Sequence, residues 1–296
     1  MKTLMYLSYF LPLLFLLGAG CNQVTSEGNN TEKSEQKEDQ KLITEWKTDS
    51  IFSIPESVYH DSNQEILYIS NIDGKPTEKD GKGFISKLSP KGEIINLKWI
   101  EGIDAPKGMG VYDGKLYVTN IDEVAEIDIS AGEIIERYSL EGSEFANDIS
   151  INETGEVFIS DMNTGAIYKL HNGNADFWLD AGTFDQPNGL FAMDDHLLVG
   201  TKNAVMKVDY QTSAITEFIS ETGSIDGLEL VGNGYFIISD WSGSVHLVHP
   251  EKEKVLLLNT TDEGINAADI SFVPEENKLY VPTFFDNRVM KYELKY

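Results

Sequence analysis

Glu56, Asn147, Asn188 and Asp226 all carry a side-chain oxygen donor, and each stands second in a short phrase that recurs along the chain. The phrases are Pro55-Glu56-Ser57-Val58, Pro106-Lys107-Gly108-Met109, Ala146-Asn147-Asp148-Ile149, Pro187-Asn188-Gly189-Leu190, Ile225-Asp226-Gly227-Leu228 and Ala267-Ala268-Asp269-Ile270. Their second residues are separated by steps of 51, 40, 41, 38 and 42. If the repeats close into a ring, these residues face one another around one axis. Two carboxylates and two amide carbonyls then make an all-oxygen set that suits calcium or another hard divalent cation, with water or substrate in the remaining positions. A carboxylate at a channel mouth is costly to bury alone, and a cation would offset that cost. Lys107 brings a positive charge to the same ring. It could stabilise an oxyanion, hold a substrate carboxylate, or pair with Glu56 or Asp148 and touch no substrate. An opposing reading makes Asn188-Gly189 and Asp226-Gly227 ordinary turn residues. That reading does not reach Glu56, which precedes Ser57, or Asn147, which precedes Asp148.

A period near 40 marks a radial β-architecture in which each repeat is one small sheet. Residues 146–186 show the unit. Ile149-Ser150-Ile151 alternates apolar and polar, Asn152 to Gly155 turns, and Val157 to Asp161 is a second strand. Asn163-Thr164-Gly165 turns again before Ile167 to Leu170, and a last turn at His171 to Gly173 precedes Ala175 to Leu179. Four short strands separated by turn residues make an antiparallel sheet. The expected fold is therefore all-β: a six-bladed β-propeller of four-stranded antiparallel blades. The last repeat supplies three strands before Tyr296, so Leu42 to Lys47 is expected to add the fourth, close the ring and hide the sheet edges. A seventh blade would need about 40 further residues. In such blades the first strand lines the channel, and the loops between second and third strands gather at one mouth. The longest, Asn71 to Gly83, reads as a lid or as a solvated surface loop. Asn120, Asp161 and Asp240 hold the matching place in other blades and are expected around the ligand ring.

With these residues aligned, the chain over 41–296 resembles the family of senescence marker protein (regucalcin), gluconolactonase and diisopropyl-fluorophosphatase. Asn147-Asp148 matches that family's Asn-Asp, Asn188-Gly189-Leu190 its Asn-Gly-Leu, and Asp226-Gly227-Leu228 resembles its Asp-Gly-Met. The resemblance implies a six-bladed propeller with one catalytic calcium or other divalent ion on the axis, held by Glu56, Asn147, Asn188 and Asp226. It implies hydrolysis of a lactone or related ester; in that reaction Asp226 or Glu56 would take the proton or attack directly, and Lys107, which the family pattern does not supply, could stabilise the oxyanion. The match departs at Glu56-Ser57-Val58, where the family has Glu-Gly-Pro, and at Lys107. The five histidines (60, 171, 196, 246 and 249) are expected in turns or outer strands, which leaves no His to activate water at the mouth. No Gly-x-Ser-x-Gly elbow is present, which argues against a serine hydrolase.

The start of the chain is of another kind. Residues 1–20 hold one Lys, an apolar run from Leu4 to Leu17 and small residues before Cys21, the pattern of a secretory signal and too short for a membrane span. Small residues before a Cys resemble a bacterial lipobox, although Gly18 stands where Leu is usual. That resemblance implies a lipidated Cys21 and a protein exported and anchored to a bacterial membrane. The alternative is an ordinary cleaved signal with an incidental Cys. Residues 21–40 read as a disordered polar tether of roughly 25 Å reach. Cys21 is the single cysteine, so no intrachain disulfide is possible. A net charge of −26 excludes nucleic acid as a natural partner and leaves the lipid anchor as the only expected membrane contact. The expected partner is a small-molecule lactone or ester, bound by a monomer. The rival function is a non-catalytic propeller lipoprotein that captures a ligand or a partner at the cell surface.

Overall fold

The computed structural model describes residues 40–296. The expected leader, Cys21 and all but the last residue of the expected tether lie outside the described residues. From Lys41 onward the chain forms 24 strands in six four-stranded antiparallel sheets. Five sheets each take four consecutive strands. The innermost strands of those five are Pro55–Asp61, Pro106–Tyr112, Ala146–Ile151, Leu190–Ala192 and Leu228–Gly232. The sixth sheet runs Ser271–Val273, Lys278–Pro282 and Val289–Lys295, and its outer strand is Lys41–Lys47 from the other end of the described chain. This is the six-bladed propeller expected from the repeat, closed by its N-terminal strand. The closing pair is antiparallel, with Leu42 opposite Leu294 and Thr44 opposite Tyr292. Trp46 of the closing strand ties the sixth blade to the first by donating from its indole Nε1 to the Pro90 carbonyl at 3.2 Å.

Alternation along the strands puts apolar side chains on both faces of each blade, and the core is the set of wedges between neighbouring blades. Tyr68, Ile85 and Ile103 of the first blade pack on Met109, Leu116 and Ile127 of the second. Phe158 and Ile167 of the third pack on Leu197 and Val208 of the fourth. Ile237 and Leu247 of the fifth pack on Phe272 and Leu279 of the sixth. Each fully buried Leu, Ile or Phe contributes about 1.5–3 kcal/mol. Helix is confined to two short turns among the described residues, Thr261–Glu263 and Phe284–Asp286.

Where the blades meet at the axis, the backbones nearly touch. A Cβ on Gly108 would stand 2.6 Å from the Asp148 Cα, one on Gly189 2.6 Å from the Asp226 carbonyl oxygen, and one on Gly227 2.6 Å from the Ile270 nitrogen. None of the three has a positive φ. The third residue of these phrases is glycine because the next blade leaves no room for a side chain. The turn reading of Asn188-Gly189 and Asp226-Gly227 is therefore replaced by one of close approach.

Candidate active site at the channel mouth

The innermost strands bring Glu56, Lys107, Asn147, Asn188 and Asp226 to one end of the channel, where all five line a single cavity of about 370 Å³. The sixth phrase contributes Ala268, which packs in an apolar cluster with Ile72, Ala105, Ile121 and Phe284. The backbone around the ring is fixed from blade to blade. The Asp269 amide donates to the Glu56 carbonyl at 3.0 Å. Thr119 Oγ1 donates to the Asn147 carbonyl at 2.5 Å, and Ser239 Oγ to the Ala268 carbonyl at 2.8 Å. Ser70, Ser160 and Ser239 accept, through Oγ, the amide of the third phrase residue, Ser57, Asp148 and Gly227.

The residues ending the second strands hold the phrases from behind. Asn120 Oδ1 accepts the amides of Asp104 and Ala105, and Asp161 Oδ2 accepts those of Glu144 and Phe145. Asn71 does the same for Ser53. Asp240 caps its own turn through the Ser242 amide. None of Asn120, Asp161 and Asp240 lines the cavity. Their part is to shape the loops that enter the ring.

The ring side chains are buried and unequally satisfied. Glu56 is 5% exposed, and its Oε2 is the one carboxylate oxygen among the described residues that is buried without a hydrogen-bond partner. Asn188 Nδ2 donates to Asp226 Oδ1 at 2.7 Å, and Asn147 Nδ2 lies 3.9 Å from the Met162 sulfur. With the amide nitrogens so engaged, the carbonyl oxygens of both asparagines are left to a ligand. Burial, then the neighbouring Asp226, pushes the Glu56 carboxyl well above the usual range. Burial also raises Asp226 to about 7, against the pull of its Asn188 hydrogen bond. Two carboxylates that resist ionisation, one with an orphaned oxygen, fit a site completed by a cation. No cluster of three or more His, Cys, Asp or Glu side chains suited to a metal occurs among the described residues, so the two amides must supply half of any donor set.

Lys107 is 1% exposed, and burial lowers its ammonium to about 8. It donates to the Ala105 carbonyl at 3.1 Å and lies over the Phe145 ring, 4.5 Å from the centroid. No carboxylate among the described residues comes within 4.0 Å of its Nζ, so of the alternatives open to Lys107 the pairing with Glu56 or Asp148 is not formed.

The loops between second and third strands do gather at this mouth. Ile72, Gly74 and Pro76 from the long first-blade loop, Met162 from the third blade, Trp241 from the fifth and Phe284 and Phe285 from the sixth line the cavity. The long loop is tied to the second blade by Lys79 Nζ on Asp122 at 2.6 Å and by the Gly81 amide on Asp104 at 2.9 Å. No histidine lines this cavity. The expected placement of the histidines needs one correction. His60 lies in the innermost strand of the first blade, directed to the far end of the channel by the alternation and length of that strand.

Deeper in the channel lies a second tier that the sequence reading passed over. Asp148 and Asp269, third in their phrases, line a second cavity of about 270 Å³ together with Glu229 and His60. Ser57 Oγ donates to Asp269 Oδ2 at 2.5 Å, and the Leu190 amide to Asp148 Oδ2 at 2.6 Å. Burial raises Asp148 to about 8 and Asp269 well above the usual range. The signal was present one column along the alignment, where Ser57, Gly108, Gly189 and Gly227 are small and the two aspartates stand out.

No family model matches the chain, and no curated protein sequence does. Solved structures do. A gluconolactonase from Xanthomonas campestris superposes with a TM-score of 0.62 at 16% identity, over 82% of this chain and 87% of that one. A catalytically inactive histidine-to-alanine variant of virginiamycin B lyase from Staphylococcus aureus, with quinupristin, gives a TM-score of 0.60 at 15% identity, over 86% of this chain and 99% of that one. At these identities the likeness to both enzymes is one of fold alone.

Proposed function

We propose that this chain is a divalent-cation-dependent hydrolase of a lactone or related ester, with calcium the ion its donors suit best. The observation that carries the reading is Glu56 Oε2, a buried carboxylate oxygen without a partner in a cavity shared with Asn147, Asn188 and Asp226. Those four residues would hold the cation. When bound, it would supply Lewis-acid polarisation of the substrate carbonyl.

Asp226 keeps Oδ1 on Asn188, so Oδ2 is the oxygen available to take a proton from the attacking water, with Glu56 as the other carboxylate in reach of the cavity. Water adds to the carbonyl carbon, the ring C–O bond breaks, and the proton passes to the leaving alkoxide, giving a hydroxy acid. Lys107 would stabilise the oxyanion from a site where its charge is poorly solvated and so acts strongly. Hydrolysis is preferred to elimination because the lyase neighbour loses activity with one histidine, and no histidine of this chain lines the mouth.

A second reading, a binding propeller without chemistry, is favoured by the apolar wall of the cavity, which would retain a ligand as well as a substrate. Metal content and turnover separate the two. The purified protein should bind calcium and open a lactone, and Glu56→Gln and Asp226→Asn should each abolish turnover. Saturable ligand binding without product would leave the binding module. The proposal extends to location: a monomer exported and held at a bacterial membrane by lipid on Cys21, which Cys21→Ser should release into the soluble fraction.

A further inference from the structure

Above the ring, the mouth cavity is walled by Ile54, Ile72, Pro76, Phe145, Met162 and the aromatic group of Trp241, Phe284 and Phe285. Among the described residues, and apart from the ring, the hydrogen-bonding side chains on this wall are Ser224 and, through its indole N–H, Trp241.

Two features show that the apolar wall is built and held. Trp241, Phe284 and Phe285 form a closed set of edge-to-face contacts, with centroids 5.5, 5.9 and 4.8 Å apart. Trp241 and Phe285 remain 44% and 60% exposed, while Phe284 is buried beneath them. The backbone is also strained where it carries the wall. Ile54 has φ +55° and Phe284 φ +48°, a conformation unfavourable for a β-branched or bulky residue. One residue ties both. Asn287 closes the turn of Phe284 with its own amide and accepts the Ile54 amide through Oδ1 at 2.8 Å.

We propose that the substrate of this site is an apolar lactone or ester, bearing an alkyl or aryl group that packs on Trp241 and Phe285, and not a polyhydroxylated sugar lactone. The inference rests on the hydrolase reading for its chemistry and on the wall for its selectivity. A sugar lactone would press several hydroxyls against a wall that offers them, outside the ring, only Ser224 and the Trp241 indole, and each hydroxyl left unpaired weakens binding. An alkyl or aryl group would gain by each apolar carbon it buries there.

The test compares δ-decalactone with glucono-δ-lactone, which share a six-membered ring and differ in its substituents. Turnover and calorimetric binding are measured on the calcium-loaded full domain. A kcat/KM for δ-decalactone at least about 100-fold higher supports the inference. So does saturable binding of δ-decalactone but not gluconolactone in the absence of any turnover, an outcome that removes the hydrolase and keeps the apolar ligand. Equal or better use of gluconolactone overturns the inference and leaves the hydrolase standing. Failure to bind or turn over δ-decalactone overturns it outright. Trp241→Ala and Phe285→Ala, both on the exposed rim, should raise KM for δ-decalactone about tenfold with calcium affinity unaltered. An unchanged KM in both variants also overturns it.

Discussion

Asn188 Nδ2 donates to Asp226 Oδ1 at 2.7 Å, across the joint between the fourth and fifth blades. The bond orients two proposed ligands at once. It occupies the amide nitrogen, so Asn188 can offer a cation only its oxygen. It also fixes which carboxylate oxygen of Asp226 is taken. Replacing Asn188 by Leu should therefore damage the site twice, by removing a ligand and by freeing Asp226 to rotate. Calcium affinity should fall about 100-fold, near 2.7 kcal/mol, with the thermal midpoint of the calcium-free protein changed little. Calorimetric titration beside a melting curve checks both halves. A drop in stability with affinity intact would assign the bond to packing alone.

Lys107 sets a second test. Its ammonium shares the ring with the proposed ligands and has no carboxylate within ion-pair distance, so it opposes a bound cation. Lys107→Met keeps the bulk of the side chain and removes the charge. Calcium should then bind about tenfold more tightly, while lactone turnover falls because the oxyanion loses its nearest cation. The two effects have opposite signs, which a merely misfolded variant would not produce. Weaker binding on charge removal would mean that Lys107 supports the site and does not compete with the ion.

How far these residues were legible from the sequence depends on the kind of contact each makes. The blade count, the closing strand and the five residues at the mouth follow from a period and a column of residue types, because a ring turns equal spacing into shared position. Phe284, Phe285 and Trp241 could not be placed in that way. They sit in loops of unequal length, and their meeting depends on backbone angles at Ile54, Phe284 and Asn287 that no pattern announces. The glycines were seen, but the only cause weighed for them was the opposing reading of a turn, since a turn and a close approach use the same residue.

That cause is open to direct test. Gly189→Ala would place a methyl 2.6 Å from the Asp226 carbonyl oxygen, which is backbone and cannot move aside. The expected cost is about 2–4 kcal/mol, far above that of an Ala in an ordinary extended segment. Gly114→Ala makes the contrast, because its φ is +74° and nothing lies within 4 Å of its added Cβ. There the penalty is conformational, about 1–2 kcal/mol. Denaturant unfolding of the two variants should separate crowding from backbone strain by this difference, and equal costs would return Gly189 to the turn reading.

The axis carboxylates make a prediction about pH. In the absence of a cation, burial raises Asp226 to about 7 and Asp148 to about 8, with Glu56 and Asp269 also well above the usual range. A group whose pKa is raised on folding holds its proton more tightly in the folded chain. Its contribution is therefore complete below the unfolded value near 4 and is lost as pH rises through the folded value. Calcium-free protein should lose stability steadily from about pH 4 to about pH 8. Lys107, lowered by burial to about 8, acts with the opposite sign but above that window, where rising pH relieves its buried charge. A cation should invert the trend, because it binds the deprotonated ring and so gains affinity as the protons leave. Unfolding midpoints measured at pH 5 and pH 8, with calcium and with chelator, should therefore converge at pH 5, where the ring is protonated and binds little, and separate at pH 8, where the calcium-loaded protein gains most. Parallel curves would show that the ring carboxylates hold no ion. A fall confined to the region below pH 5 would show instead that they are ionised and paired as surface carboxylates are.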